Sequence, residues 1–161
     1  TQNVAIMRGM IISEAIDLEN KLTEIITELF GKKAELFRTR ILNKPVLDFG
    51  KKHAFINGLL KDKIAEFKSV ETPDTDKIEH FDKLKTTFNG MMKEVVNQRN
   101  ILAHSKKKFE DGILVLSSLN NDPPIHFNDD WKNEIRSNIK KHLTNLVDIR
   151  NALDEEGLIA E

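Results

Sequence analysis

The sequence predicts a mainly α fold: an up-and-down bundle of four long helices with a small β-hairpin before the last helix. Apolar residues recur every three or four positions over four long stretches, as they do on helices that bury one face. Polar segments with turn-forming residues join these stretches, which is typical of helical bundles. Because 161 residues are enough for one normal hydrophobic core, we predict a single domain over residues 1–161.

The composition narrows the class of protein further. The formal net charge is −1 with 32% charged residues, so any contact with nucleic acid must use a local basic patch. The chain has no cysteine, which excludes disulfides, thiolate metal sites and cysteine nucleophiles and fits a reducing compartment. No apolar run approaches the length needed to span a membrane. We therefore expect a cytoplasmic protein without a membrane partner.

The first predicted helix runs from about Val4 to Phe30, and Gly31 ends it as a left-handed cap. Glu19 borders its apolar stripe, where a carboxylate must stay solvated or find a partner. Two interpretations of Glu19 are open: a residue at the solvent boundary, or a support for Arg99 or His104. The stripe follows alternating steps of four and three and consists of Ile11, Ala15, Leu18, Leu22, Ile25 and Leu29.

A basic connection, Lys32–Pro45, follows, with a short helix expected around Ala34–Arg40. Its positive charge is typical of a solvated face, and an RNA-facing role is the alternative. The second long helix begins near Asp48 to Gly50 and runs to about Phe67. His53 lies on its apolar side, where a hydrogen-bonded histidine is more common than a catalytic one.

The third helix follows a polar loop, Ser69–Asp76, and Thr75 or Asp76 is its expected N-terminal cap. Gly90 is a point at which we expect the helix to bend or split. The apolar stripe consists of Ile78, Phe81, Leu84, Phe88, Met91, Val95 and Leu102.

The region before the last helix predicts a small hairpin. Ile113–Ser118 is the best candidate for a strand, and Ile125–Phe127 is the expected return strand. The segment Asn120–Pro124 between them is rich in turn-forming residues. The last helix then starts near Asn128 or Asp129 and runs to about Glu155.

One hexad, Arg99-Asn100-Ile101-Leu102-Ala103-His104, is chemically unusual and ends the third apolar stripe. Asn100 and His104 are four residues apart and share a helical face. Arg99 and His104 diverge by about 140° on an ideal helix, so one continuous helix does not direct both at one target. Either the helix ends near Ala103, or a second copy of the chain completes the site.

The side chains of the hexad suit chemistry at a phosphodiester. The imidazole of His104 can accept or donate a proton near neutral pH. The guanidinium of Arg99 can hold a phosphate by two parallel hydrogen bonds. The alternative is a helix terminus capped by His104, with Arg99 in a surface ion pair, since basic residues are favoured there.

The pattern Arg-Asn-x-x-Ala-His at the end of a helix resembles the signature of the HEPN superfamily, whose members are small all-helical proteins. The resemblance implies Arg99, Asn100 and His104 as catalytic residues. It also implies a homodimer, in which two copies of the motif line one cleft and cleave RNA without a metal. Toxins, phage-defence effectors and RNA-processing factors occur in this family.

We therefore predict a metal-independent endoribonuclease that cleaves RNA by attack of a 2′-hydroxyl group, with Lys106, Lys107 and Lys108 as RNA-binding residues. No cofactor or metal is expected, because the sequence contains no Gly-rich phosphate loop and no histidines at metal-ligand spacing. The resemblance further suggests a cognate antitoxin or nucleotidyltransferase as a partner. Two alternatives are open: a non-catalytic HEPN-like interaction or nucleotide-binding module, and an unrelated helical bundle.

Overall fold

A computed structural model describes residues 2–31, 48–118 and 122–159. The helices in these ranges are α1 (Gln2–Leu29), α2 (Phe49–Ser69), α3 (Thr75–Met91), α4 (Asn97–His104) and α5 (Asp129–Glu155). A π-helical turn, Met92–Val96, joins α3 to α4, so the described residues form four long helical stretches. The strands are β1 (Lys106–Glu110), β2 (Ile113–Ser117) and β3 (Ile125–His126). This confirms the predicted mainly α class with a small sheet before the last helix.

The chain divides into two compact units. Unit 1 comprises Thr1–Leu18 and Met91–Lys141, and unit 2 comprises Glu19–Gly90 and His142–Glu161. The single domain expected over residues 1–161 stays a prediction. The expected basic connection Lys32–Pro45, with its short helix, lies outside the described residues. Within the described ranges, no helix is both long enough and apolar enough to cross a lipid bilayer.

In unit 2, α2 and α3 pack in opposite directions. His53 Nε2 lies 3.0 Å from the carbonyl oxygen of Phe88, and the two rings stack with centroids 4.2 Å apart. Farther along α2, the ring of Phe67 meets Phe81 edge to face at 5.1 Å. Because the residue numbers on α3 fall as those on α2 rise from one contact to the next, these two helices are antiparallel.

The same unit places α5 against α3, again in the opposite direction. Buried Asn145 donates from Nδ2 to the carbonyl oxygen of Leu84 at 3.1 Å. Near the other end, Lys77 forms an ion pair with Glu156, just after α5. The predicted up-and-down order therefore describes α2, α3 and α5.

The end of α1 contacts both α2 and α5 within unit 2, and its contact with α5 is the ion pair of Glu28 with Arg150 at 2.8 Å. Lys52, buried on α2, donates from Nζ to Thr23 Oγ1 at 3.1 Å, and the rings of Phe30 and Phe55 stack at 6.1 Å. Residue numbers rise together in these contacts, so this part of α1 runs in the same direction as α2. The buried residues of α1 follow the predicted stripe: Ile11, Ala15, Leu18, Leu22 and Ile25, with Ile26 beside it.

The helix boundaries follow local chemistry that is readable in the sequence. Gly31 has a φ of 59°, which confirms the predicted left-handed end of α1. Asp48 caps α2, because its Oδ1 accepts a hydrogen bond from the Lys51 amide at 2.9 Å. The cap of α3 is Asp74, which accepts from the Lys77 amide at 3.1 Å, one residue before the expected Thr75 or Asp76.

In unit 1, the expected hairpin is a three-stranded antiparallel sheet in the order β1-β2-β3. β1 pairs with β2 so that Glu110 lies opposite Ile113, which leaves a two-residue turn between them. Asp111 and Gly112 form this turn with φ values of 48° and 78°. Two positive φ values define the tight turn that matches the twist of a hairpin, and Asp-Gly is a preferred pair for it.

Candidate functional site

The polar face of α4 lies in unit 1 and carries Asn97, Asn100 and His104. Steps of three and four residues place these side chains on one side of the helix. Ile101 and Leu102 are buried, which anchors α4 in the core. The face borders a cavity of about 530 Å³, whose described lining is Asn97, Asn100, Ile101, His104, Ser105, Ser118 and Asp122.

The π-helical turn determines the direction in which this face of α4 points. Its end is marked by the Asn97 amide, which donates to the Met92 carbonyl five residues back. Such a turn takes up an extra residue relative to an α-helix and occurs frequently at functional sites. The irregularity was expected at Gly90, whereas the structure keeps Gly90 within α3 and places the π turn just after Met91.

The C-terminal end of α4 is held by hydrogen bonds to its last carbonyl groups. The Ser105 amide donates to the Ile101 carbonyl at 2.9 Å, and the Arg8 guanidinium of α1 donates to the Leu102 carbonyl. A cation is favourable at this end of a helix dipole. Arg8 is therefore a positioning residue for the turn that carries His104.

Arg99 is placed apart from the other two predicted catalytic residues. α4 continues through His104, one residue past the expected end near Ala103, so residues five apart diverge by about 140°. Accordingly, the described lining of the cavity contains Asn100 and His104 but not Arg99, which is half-buried. The structure thus brings together two of the three residues.

The three predicted RNA-binding lysines lie on β1 and are all exposed. Side chains alternate along a strand, so Lys106 and Lys108 share one face and Lys107 takes the other. Lys108 forms an ion pair with Glu110 at 2.8 Å. The hydrogen bond of this pair raises the pKa of Lys108 and lowers the pKa of Glu110. Lys107 lies with Arg8 and Phe109 along a groove of about 170 Å³.

Glu19 and the remaining histidines lie outside the cavity lining. Glu19 is half-buried and belongs to unit 2, and its supporting role stays a prediction. His53 is hydrogen-bonded and stacked, as expected for a boundary histidine. His142 is buried on α5, and His126 is exposed on β3.

The cavity lining combines one carboxylate with neutral polar groups and an imidazole. Asp122 accepts a hydrogen bond from Ser118 Oγ at 2.9 Å. His104 and Asn100 offer an imidazole and an amide. Ser105 Oγ is buried there and, among the described residues, has no hydrogen-bond partner. The described lining therefore offers hydrogen-bond donors and acceptors together with one carboxylate.

Several residues of this cavity were not identified from the sequence. Asn97 was identifiable, because it continues the face of Asn100 and His104 one turn back. Ser105 adjoins the hexad, whereas Ser118 and Asp122 follow β2 and reach the cavity only through the fold. In the part of the chain that the structure describes, no group of three or more His, Asp or Glu side chains is placed to hold a metal ion.

Comparisons with protein-family models, curated proteins and solved structures gave no match. The assignment to the HEPN superfamily thus stays a prediction that rests on Arg99, Asn100 and His104.

Proposed function

We propose that this chain is a metal-independent endoribonuclease of the HEPN type, with His104 as the acid–base residue. The observation that carries the proposal is the cavity of about 530 Å³ on the polar face of α4. It combines an exposed imidazole with the amides of Asn97 and Asn100 and the hydroxyl group of Ser105. A proton acceptor surrounded by hydrogen-bond donors suits a ribose next to a phosphate.

The proposed reaction uses a nucleophile that belongs to the RNA itself. His104 takes the proton of a 2′-hydroxyl group, and the 2′-oxygen bonds to the neighbouring phosphorus. The bond from phosphorus to the 5′-oxygen breaks, and that oxygen takes a proton from water. The products are a 2′,3′-cyclic phosphate and a 5′-hydroxyl end. Asn100 orients His104 or binds a phosphate oxygen. DNA lacks the nucleophile and resists cleavage.

Arg99 enters this proposal through a second copy of the chain. Its position about 140° from His104 argues against one subunit supplying both groups to one phosphate. In a homodimer with facing hexads, Arg99 of one subunit neutralises the charge that develops at the phosphate beside His104 of the other. A monomer at micromolar concentration in analytical ultracentrifugation would contradict this arrangement.

Mixing two inactive variants tests the shared site. Arg99→Ala and His104→Ala homodimers each lack one group at both sites. After subunit exchange, half of the dimers are mixed and hold one intact site, so about a quarter of wild-type activity returns. If both groups act within one subunit, mixing restores nothing.

The cleavage proposal is tested with pure protein and a labelled single-stranded RNA in EDTA. Wild-type protein should cleave the RNA, and His104→Ala should not. His80→Ala is the matched control, because His80 is an exposed helical histidine in unit 2. Equal rates for wild type and His104→Ala would reject the site, and loss of cleavage in EDTA would reject the metal-free mechanism.

A second candidate function is a non-catalytic interaction or nucleotide-binding module. The carboxylate of Asp122 favours the interaction module, because a carboxylate in the cavity lining repels the phosphate groups of an RNA strand. The resemblance to HEPN proteins supplies the candidate partners, a cognate antitoxin or nucleotidyltransferase. Binding of RNA or a nucleotide without any turnover would favour this alternative.

A further inference from the structure

A second cavity of about 440 Å³ adjoins the first in unit 1. Asn97, Ile101 and Asp122 line both, so the two form one continuous groove along α4. The volume falls in the range of small-ligand sites. Its described lining also includes Lys93, Gln98, Asn128, Trp131 and Glu134.

Trp131 is the aromatic side chain in the lining of this second cavity, and the structure holds it in place. Its backbone amide donates to Asn128 Oδ1 at 2.8 Å, and its indole Nε1 donates to Gln98 Oε1 at 3.3 Å. The ring of Phe127 packs against the indole at 5.6 Å. The half-buried indole is thus pre-organised rather than mobile, which lowers the entropic cost of binding a ligand.

We propose that this second cavity binds a nucleobase of the RNA strand next to the phosphate held at His104. The proposal rests on the proposed ribonuclease function. An unstacked base of single-stranded RNA is flat and can stack on an indole, and its edge can hydrogen-bond to side-chain amides. Asn97, Gln98 and Asn128 supply such amides around Trp131.

The chemistry of the lining favours a base over other flat or apolar ligands. The oxygens of Gln98 and Asn128 already accept hydrogen bonds from Trp131, so these amides chiefly present N–H donors, which a purely apolar ligand would leave unpaired at a cost. Gln98 is oriented by its hydrogen bond from the indole, so its amide group is already fixed at the cavity wall. Lys93 lines the cavity together with the carboxylates of Asp122 and Glu134, so an uncharged base fits this lining better than a phosphate group does.

The direct test uses the intrinsic fluorescence of the protein. The chain contains one tryptophan and no tyrosine, so the emission reports on Trp131 alone. The probe is a single-stranded DNA hexamer, which has bases but lacks the 2′-hydroxyl needed for cleavage. We expect saturable quenching by the hexamer and none by an abasic hexamer of the same length. Equal quenching by both, or none by either, would overturn the proposal.

Variants separate stacking from general charge attraction. Trp131→Ala should weaken binding of a fluorescein-labelled single-stranded DNA hexamer about tenfold or more in anisotropy titrations, as loss of base stacking does. Trp131→Phe keeps an aromatic ring and should restore most of the affinity. If Trp131→Phe is folded yet binds as weakly as Trp131→Ala, the loss does not come from stacking. Phe55→Ala is the control, because Phe55 is an exposed aromatic residue of unit 2 outside the second cavity. An equal loss for Phe55→Ala would overturn the proposal.

The outcomes distinguish this proposal from the proposed function. Quenching without any RNA cleavage supports the base site and rejects the ribonuclease. Cleavage with an unchanged KM in Trp131→Ala rejects the base site and leaves the ribonuclease standing. His104→Ala should abolish cleavage and keep the quenching, because the two cavities share lining residues but not His104.

Discussion

Polar side chains are used differently in the two units of this chain. In unit 2, Asn145 and His53 hydrogen-bond to the helix carbonyl groups of Leu84 and Phe88. In unit 1, the polar face of α4 borders a cavity instead, and His104 is exposed at the end of its helix.

The contrast between His53 and His104 shows how a structural histidine differs from a candidate catalytic one in a helical protein. His53 stacks on a buried ring and pairs with a backbone carbonyl, so its imidazole contributes to the stability of unit 2. His104 is held through the backbone of α4, which leaves its side chain accessible to a ligand. We thus assign stability to His53 and the proposed chemistry to His104. A substitution at one of them should leave the contribution of the other intact.

Replacing His104 or His53 with alanine, in two separate variants, should give the largest effects. His104→Ala should lower the RNA cleavage rate by about 10² to 10⁴, the usual loss for a general base, and change the free energy of unfolding by about 0.5 kcal/mol or less. His53→Ala should keep the cleavage rate of folded protein and lower stability by about 1–3 kcal/mol. Single-turnover kinetics and urea unfolding measure both; the reverse pattern would refute the comparison.

Leu102→Ala should separate the buried side of α4 from its polar face. Leu102 is fully buried, so the variant should lose about 2–5 kcal/mol of stability. Its cleavage rate should fall only as far as the folded fraction falls. Exposed Asn100 lies two residues earlier, and Asn100→Ala should cost about 0.5 kcal/mol or less. Similar unfolding midpoints for the two variants would contradict the placement of α4.

Arg8→Met tests the support of the α4 terminus. It removes the charged donor to the Leu102 carbonyl and should cost about 1.5–3 kcal/mol of stability. The Ser105 amide, which bonds to Ile101, should then exchange faster with solvent in hydrogen-exchange mass spectrometry. Arg8→Lys keeps the charge and should recover part of both losses. If hydrogen exchange at the Ser105 amide is the same in Arg8→Met and wild type, Arg8 does not support the end of α4.

The smallest expected effect concerns pH and the sheet of unit 1. Lys108 holds the pKa of Glu110 below its usual value, so this pair contributes stability above the unfolded pKa of Glu110 and loses it as pH falls through the lower folded pKa. An NMR titration of the Glu110 carboxyl carbon should show a higher midpoint in Lys108→Ala than in wild type. An unchanged midpoint would mean that the pair does not form in solution.

The helices were predictable from the sequence because their apolar residues repeat with helical periodicity. The Asp111-Gly112 turn is also readable in the sequence, because Asp-Gly is a preferred pair for a tight hairpin turn, and this turn pairs β1 with β2. The π turn before Asn97 was not predictable, because an extra residue leaves no local sequence signal of its own. Asp122 joins the cavity through the tertiary fold, which a search for local motifs does not detect.

The chemistry of the cleaved ends distinguishes metal-free catalysis at His104 from other routes of RNA cleavage. Wild-type protein is incubated in EDTA with a synthetic RNA, and the fragments are identified by mass spectrometry. Metal-free catalysis at His104 predicts a 2′,3′-cyclic phosphate on one fragment and a 5′-hydroxyl on the other, with no cleavage where a 2′-deoxynucleotide replaces the nucleotide before the scissile bond. A 3′-hydroxyl with a 5′-phosphate, or cleavage at the deoxy position, would contradict attack by the 2′-hydroxyl group.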